Sequence, residues 1–452
     1  MSISAIMDNS TRGITANKSA IELTSENIAN INTPGYSRRL ATFKDMNSQT
    51  AKFGTITGSQ ISKELARIRN DFIEEQYLTQ NPNLSKYQMD TNLFSQIEDI
   101  FGEPGENGIG THLSEFWTAW GDLASDPESE PARMVVVDKA VALEKAFNRV
   151  NSELTNMKQN IATNLAGSVN EINAKLRVLS QINQQITANN SDALMDERDK
   201  IVSDLSNYFE IQTYEGDHGE ITVAAAGQIL ISSDEVNEIE VYTENVGSDY
   251  QLKIRMKGSN KDINIQSGEL GSMTIIANEF IPNYRVQLDN VATNLANEVN
   301  TIHVNGYDLE DHTGNLFFKD NVNSAGNFAV NPLIAKNPYM VATSNQPGES
   351  ANNNIARQIN ELQNGHTLNG LSISDYYTGI ATDIGSKVQK SENLLSSQTK
   401  ILATIENQRD SEAGVSLDEE LVNLSRYQQA YQASAKIIGT VQEMVDTILT
   451  LI

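Results

Sequence analysis

The chain has 452 residues, with 59 acidic against 33 basic side chains, a formal net charge of −26 and no cysteine. The absence of cysteine excludes a disulfide framework and a thiolate metal site, and the acidic balance argues against nucleic acid, which asks for a basic footprint. Hydrophobic residues make up 39% and aromatics 6%, which fits about three domains in an elongated molecule better than one large globule.

The first 31 residues carry a heptad stripe. Ile3, Met7, Ser10, Ile14, Asn17, Ile21, Thr24, Ile28 and Ile31 fall on one face, and the polar three share one heptad letter. Polar residues at one buried heptad position cost stability but fix register and partner number. A helix is expected over about residues 2–30. It stops at NTPGYSRR, where Pro34 disfavours helix at Thr33 and Gly35 permits a turn. Residues 1–70 hold nine Lys/Arg against five acids, a local charge of +4 on a body that carries −30.

From Asp71 to Phe209 the apolar period is helical. Leu84–Ile100 is one helix. LSEFWTAWGDLASDP sets Trp117 and Trp120 on one face with Leu113, Phe116 and Leu123. Pro131 opens a helix to Thr163 or beyond, Ala166–Ala188 continues it with a narrow stripe, and Asp192–Tyr208 is one more. At Phe209 the period changes to two. Ile221, Val223 and Ala225, then Val241, Leu252, Ile254 and Ile263, alternate with polar neighbours between turn clusters such as EGDHGE and MKGSNKD. This predicts a small antiparallel β domain over 209–270. Helix resumes at Leu270–His303. Residues 304–350 are Gly/Asn/Pro-rich and read as loops with short strands, and helices return over 353–362 and 373–407.

The last 37 residues repeat the opening pattern. Leu417, Leu421, Leu424, Gln428, Tyr431, Ala435, Ile438, Gln442, Val445, Leu449 and Ile452 lie at alternating intervals of four and three, and nine of the eleven are apolar. A seam of this kind wants a partner helix, and the stripe Ile3–Ile31 is the expected one. Gln428 and Gln442 interrupt the seam, and they are expected to set register between subunits or to weaken the pair enough to keep it open.

The fold class expected is mainly α with a small β domain (α+β), elongated and nested. Residues 1–40 plus 414–452 form a terminal coiled-coil domain. Residues 41–208 plus 271–413 form a helical-bundle trunk, and 209–270 an antiparallel β outer domain at its tip.

No convergent chemistry emerges. The five histidines are scattered, and neither HExxH nor GxxxxGK[ST] occurs. LMDERDKI (194–201) reads as a solvated helix face with an Asp196–Lys200 pair at i, i+4. YDLEDHTGN (307–315) places its glycine one position late for a calcium loop and reads as a polar turn. No catalytic residue, metal or cofactor is expected, and the chain is expected not to be an enzyme. No apolar run approaches the ~18 residues of a membrane span, and no secretory leader follows Met1. Membrane and nucleic acid are therefore not expected partners.

SENIANINTPGYSRR (25–39) and GVSLDEELVNLSRYQQAYQASAKII (414–438) resemble the amino- and carboxyl-terminal signatures of bacterial flagellar axial proteins. The signature positions are Asn27, Asn30, Asn32, Pro34, Gly35 and Tyr36 at one end and Gln429, Ala430 and Tyr431 at the other. Within that group, LMDERDKIVSDLS, NLANEVNTIHVNGYDLEDHTGNLFF (294–318) and the serine and arginines after PGY resemble the hook–filament junction family, FlgK. The resemblance implies a structural subunit that assembles with copies of itself in a thin ring, with hook protein below and a second junction protein or flagellin above. It implies cytoplasmic synthesis, export through the flagellar type III channel, an export chaperone on the carboxyl-terminal helix, and residence in the extracellular flagellum. Other axial subunits, hook or distal rod, share the end motifs. A non-flagellar coiled-coil adaptor is the alternative from another class.

Overall fold

The computed structural model describes residues 3–33, 35–45, 61–103, 105, 107–189, 191–247 and 249–450, so the signature residue Pro34 and the last seam residue Ile452 lie outside the described residues. The first helix, α1 (Ile3–Ala29), runs into a hairpin of β1 (Arg39–Asp45) and β2 (Ile61–Arg67), and the last, α11 (Leu417–Thr450), packs along α1. Between them lie α2 (Asp71–Phe101), α3 (Ile109–Ser125), α4 (Glu130–Ala188), α5 (Asp192–Leu205), strands β3–β8 (Ile211–Met256), α6 (Gly268–Ile275), α7 (Ile281–His303), the short α8 (Pro332–Lys336), α9 (Asn354–Glu361) and α10 (Ile373–Ala413).

The spine is α4. Ser129 caps its first turn by accepting from the Ala132 N–H, and Pro131 supplies a preset φ where no donor is lost. The run expected from Pro131 to Thr163 or beyond, continued over Ala166–Ala188, is one helix of 59 residues, roughly 90 Å at 1.5 Å per residue. Gly167 sits mid-helix on the solvent face with nothing packed on it, so it does not break the run. The helix expected from Leu270 is interrupted. Residues Ile276–Phe280 form a π-helical turn before α7. Pro282 lacks the N–H that would bond back to residue 278, and the Asn278 side chain is turned onto Leu252, accepting from its N–H and donating to its carbonyl at 2.8 Å each.

Strands β3 (Ile211–Glu215), β4, β5 and β6 (Glu235–Val236) form a four-stranded antiparallel meander, and β7 (Ile239–Val246) and β8 (Asp249–Met256) a separate hairpin. Ala226 and Gly227 both take positive φ (46° and 75°) between β4 (Ile221–Ala225) and β5 (Gln228–Ser232), the geometry of a tight hairpin turn. This β region is not the tip of the molecule. It lies along the C-terminal half of α4 because asparagines on that helix stand in for a neighbouring strand. Asn173 accepts from the Ile239 N–H (3.0 Å) and donates to its carbonyl (2.8 Å), and Asn183 does the same to Ile221 (3.0 and 2.9 Å). Each buried edge amide is thereby satisfied. The opposite end of α4 carries the cap formed by residues 304–364. There Arg133 donates to the carbonyls of Pro127 and Val341 and to Thr343 Oγ1, and an aromatic cluster of Phe116, Trp120, Phe317 and Phe318 fills the interior.

One continuous apolar core runs through trunk, β region and cap. Among the described residues, none before Leu78 or after Val388 belongs to it or packs against it. The terminal helix pair stands outside that core.

Candidate functional site

Two features of the terminal pair bear on function: how it is fixed to the trunk, and which face it leaves free.

The fixing is ionic. Helix α5 presents Asp192, Asp196 and Asp199 at i, i+4 and i+7, one face of a helix. The hairpin β1–β2 and the turn after it bring Arg39, Arg67 and Arg69 against that face. Arg39 Nη2 lies 3.1 Å from Asp196 and Arg67 Nη2 lies 2.8 Å from Asp196 and 2.6 Å from Asp199. Arg69 also meets Asp199, and it reaches Glu74 at 3.6 Å, which Arg409 approaches at 2.7 Å. Arg198, 2% exposed, donates to the Gly219 carbonyl and pairs with Asp199 at 2.8 Å. The expectation of a solvated 194–201 face with an Asp196–Lys200 pair is therefore overturned. Asp196 is 8% exposed and its partners come from 157 and 129 residues away along the chain (196 − 39 and 196 − 67). Helical spacing shows which residues share a face, not what covers it. Burial lowers the pKa of Arg69 and Arg198. It works against Arg39 as well, but the Asp196 hydrogen bond and the neighbouring acids hold Arg39 above its ordinary value.

A second cluster ties the two terminal helices to each other. Asn27 is buried with all its amide valences used. Its Nδ2 donates to the Arg39 carbonyl (2.9 Å) and to Glu420 Oε2 (3.2 Å), and its Oδ1 accepts from Tyr36 Oη (2.8 Å) and the Arg39 N–H (3.1 Å). Glu420, 1% exposed, takes the Arg38 guanidinium at 2.8 Å. Burial pushes the Tyr36 phenol up to about 12, so it remains a donor. Gly35 takes φ 83°, and a side chain there would meet Lys200.

This cluster sets the rotation of the helices. Asn27 and Glu420 face each other, so their heptad letters, Gly13–Ala20–Asn27 and Glu420–Tyr427–Ser434–Val441, form the contact together with Ser10, Thr24, Leu424, Ile438 and Val445. At Gly13 the helices come so close that a Cβ would lie 3.0 Å from Ser434 Oγ. The face expected from the apolar stripe is off by one residue in one of its two letters. Met7 (38% exposed), Leu421 (49%) and Leu449 (65%) flank the contact instead of entering it, and Ile3, Ile31, Leu417, Tyr431 and Ala435 are exposed as well. Ile14, Ile21 and Ile28 are half-buried. Gln428 and Gln442 are exposed and lie outside the α1–α11 contact. The polar letter of α1 behaves differently too: Thr24 Oγ1 donates to the Ala20 carbonyl and Asn17 Nδ2 to the Gly13 carbonyl, both at 2.8 Å, inside their own helix.

The signature residues divide. Asn27 and Tyr36 sit in the junction. Asn30 bonds its own turn through the Glu26 carbonyl, Asn32 is exposed, and Gln429 and Tyr431 are exposed on α11, with Ala430 half-buried. Sequence reading missed Arg38, Arg67 and Glu420 as site residues. The only signal was a pair of arginines after PGY and an acidic triplet opening the last helix. It also missed His303, fully buried, whose Nε2 accepts from the Ala342 N–H and whose Nδ1 faces the Asn315 carbonyl at 2.8 Å. Asp308 closes the 307–315 turn by accepting from the Glu310 and His312 N–H groups. No group of three or more His, Asp or Glu that could hold a metal occurs among the described residues, and no described helix is long and apolar enough to cross a membrane.

Comparison with known proteins agrees with this architecture. Residues 94–318 match the family model of the flagellar hook-associated protein FlgK helical domain, residues 7–36 that of flagella basal body rod protein, and residues 406–451 that of the flagellar basal body rod FlgEFG protein C-terminal region. The end matches are shared with rod proteins, whereas the trunk match is particular to the hook-associated protein. Flagellar hook-associated protein 1 of Bacillus subtilis is 26% identical over 98% of this chain and 97% of its own length. That of Escherichia coli is 20% identical over 99% of this chain and 100% of its own. The E. coli alignment runs to 547 positions against 452 residues here, so that relative carries insertions this chain lacks. The flagellar hook junction protein FlgK of Burkholderia pseudomallei superposes with a TM-score of 0.65 at 14% identity, covering 76% of this chain and 100% of that one, a likeness of fold. The full-length relatives, the trunk match and the shared fold converge: this chain belongs to the flagellar hook-associated protein 1 (FlgK) family.

Proposed function

We propose that this protein is a structural subunit of the bacterial flagellum, at the junction between hook and filament, and that it builds a ring from copies of itself through its terminal helices. The observation that carries the reading is the apolar surface left outside the α1–α11 contact. Met7, Leu417, Leu421, Tyr431, Ile437, Met444 and Leu449 are exposed on two helices that belong to no larger core. Burying an exposed leucine is worth about 1.5–3 kcal/mol, and rows of them along the antiparallel α1–α11 pair suit neighbouring copies in a tube. The exposed seam residues Ile3, Ile31 and Ala435 belong to the same surface and the half-buried Ile14, Ile21 and Ile28 to its edge, whereas Leu424, Ile438 and Val445 are spent in the α1–α11 contact.

Hook protein is the partner assigned below, and a second junction protein or flagellin above. Export through the flagellar type III channel, with a chaperone on α11 beforehand, fits a chain without cysteine whose last helix exposes apolar side chains on several faces. No catalysis is assigned, in keeping with a family of structural proteins. The role is tested by imaging cells that lack the protein. Hooks without filaments, with flagellin lost to the medium, are expected, and normal filaments would defeat the reading. Loss of the exported protein from the medium on deleting α11's exposed apolar residues would test the chaperone assignment.

A further inference from the structure

An unpaired strand edge is a row of free N–H and C=O groups, and folds cover such edges or blunt them with lysine, proline or a bulge. In the β region, α4 lies along β6 and β7, with Asn173 on both backbone groups of Ile239. On β8, Asn278 takes both groups of Leu252, and the Ile263 N–H donates to the Ile254 carbonyl at 2.8 Å. Strand β3 has neither kind of protection. It is the outer strand of the meander, it pairs with β4 alone, and its sequence IQTYE holds no lysine, proline or bulge.

The register tells which of its groups are free. The Gly216 N–H donates to the Glu220 carbonyl at 2.8 Å, so Gly216 and Glu220 are a bonded pair. Bonded and non-bonded pairs alternate along an antiparallel ladder. Glu215 with Ile221, Thr213 with Val223 and Ile211 with Ala225 are therefore non-bonded pairs. The N–H and C=O groups of Ile211, Thr213 and Glu215 point away from β4, and no described residue bonds to them. They recur every second residue, the pitch at which a further strand bonds.

A cleft of about 570 Å³ lies along this edge. Its far wall is one face of α2, where Asp71, Glu74, Glu75, Leu78 and Thr79 fall at i, i+3, i+4, i+7 and i+8. The charge left over in it is one-sided. Glu74 and Asp199 are taken by Arg69, Arg198 and Arg409. Asp71, Glu75 and Glu210 are exposed with no cation paired to them among the described residues, and Glu215 is exposed with Arg198 at 3.4 Å. This rim repels a second copy of so acidic a chain, which would bring the same carboxylates, and it attracts basic side chains. Tyr214, 61% exposed on the solvent face of β3, offers a ring to a cross-strand neighbour.

The geometry points to a peptide-binding site. An extended segment of a partner protein, with lysine or arginine at alternate positions, adds to β3 as the fifth strand of the meander. It lies in the cleft with its basic side chains against Asp71, Glu75 and Glu210. Backbone bonds to Ile211, Thr213 and Glu215 supply the affinity, and the carboxylates select the sequence. The site is apart from the terminal helices, and it stands or falls without the assembly role.

The probe is a fluorescein-labelled hexapeptide of alternating lysine and valine, titrated into the full-length protein at low salt and followed by anisotropy. Saturable binding at one site is expected. Thr213→Pro removes an N–H that no strand uses in the free protein and sets a ring on the open edge, where a strand tolerates proline. It should weaken binding at least tenfold with the near-ultraviolet circular dichroism of Trp117 and Trp120 unchanged. Glu75→Lys/Glu210→Lys, which leaves β3 untouched, should do the same. In the unsubstituted protein the peptide should slow amide exchange at least tenfold at Ile211, Thr213 and Glu215, and leave Gln212 and Tyr214, already bonded to β4, unchanged. Absence of saturable binding would overturn the site. So would equal affinity in the lysine pair, equal affinity for a glutamate–valine peptide, or protection that does not alternate along β3. Self-association of the protein that Thr213→Pro removes would make a second copy the occupant and overturn the basic segment. Should Thr213→Pro lose the tryptophan signal, the lysine pair and the exchange pattern decide the case by the same outcomes.

Discussion

The trunk and the terminal helix pair are both helical, yet they are held by opposite means. The trunk buries Leu, Ile, Phe and Trp in one continuous core, with His303 bonded through both ring nitrogens and Arg133 enclosed and bonded through its two terminal nitrogens. The pair buries Ala20, Leu23, Tyr427 and Val441 alongside Ser10, Thr24, Asn27 and Glu420, and keeps most of its large apolar side chains outside. A body meant to stand alone hides its apolar surface, whereas the pair spends polar interactions on its own contact and leaves apolar surface for others. The difference separates what is folded from what is poised to assemble.

The comparison predicts unequal consequences of substitution. Trp120 is fully buried against Phe116, Phe317 and His303. Trp120→Ala should cost about 3–5 kcal/mol in chemical denaturation followed by far-ultraviolet circular dichroism. A loss below 1 kcal/mol would mean the trunk core is not the tightly packed body described. Acid should act on the same region. Burial first, and Arg133 nearby, lower the His303 pKa from 6.5 to about 4, against the smaller opposing effect of the Asn315 carbonyl. A base with a depressed folded pKa favours folding while neutral, so its contribution is whole above pH 6.5 and declines as pH falls from 6.5 through 4. The decline amounts to about 3 kcal/mol. The urea midpoint of the trunk should drop over that window, and the drop should shrink in His303→Gln.

In the pair, Glu420→Ala should leave one buried Asn27 donor and the Nε and Nη2 groups of Arg38 without their acceptor, with Glu419 alone remaining on Arg38, a cost of about 2 kcal/mol. The loss should appear as faster amide exchange across 417–445 with the trunk transition unmoved. A uniform loss of protection in both regions would erase the distinction between them. Asn173→Ala removes both partners of Ile239 at a buried edge and should cost about 1–2 kcal/mol, confined to exchange in β7–β8. The smallest effect on folding is expected from Leu421→Ser with Leu449→Ser, exposed positions that should change monomer stability by under about 0.5 kcal/mol. The same double change should abolish assembly of the junction. Wild-type filaments on such cells would remove the apolar flank from the assembly surface.

Much of the fold is legible in the sequence because it is periodic. The long helices, the shift to period two at Phe209 and the tryptophan face of α3 follow from side chains spaced along one element. The family signatures are legible for the same reason: they are contiguous strings. What escaped is non-local. The β region reads as a tip because nothing in its strands names Asn173 and Asn183 as their neighbours. Asp196 and Asp199 read as part of a wet surface because the arginines that cover them, Arg39, Arg67 and Arg69, lie more than a hundred residues away. The terminal seam reads one letter off because a hydrophobic count ranks side chains by size, whereas Asn27 and Glu420, two polar residues 393 positions apart, fix the rotation.

The sequence by itself determined the helices, the nested order of the chain and its resemblance to the flagellar axial proteins, since period, turn residues and signatures are properties of short stretches. Only the tertiary structure decided which face of each terminal helix is spent within the chain, which is left for a neighbour, and that arginine–aspartate pairs join the two bodies. A buried hydrogen bond or ion pair needs both its partners in place, and no single stretch of the sequence contains both.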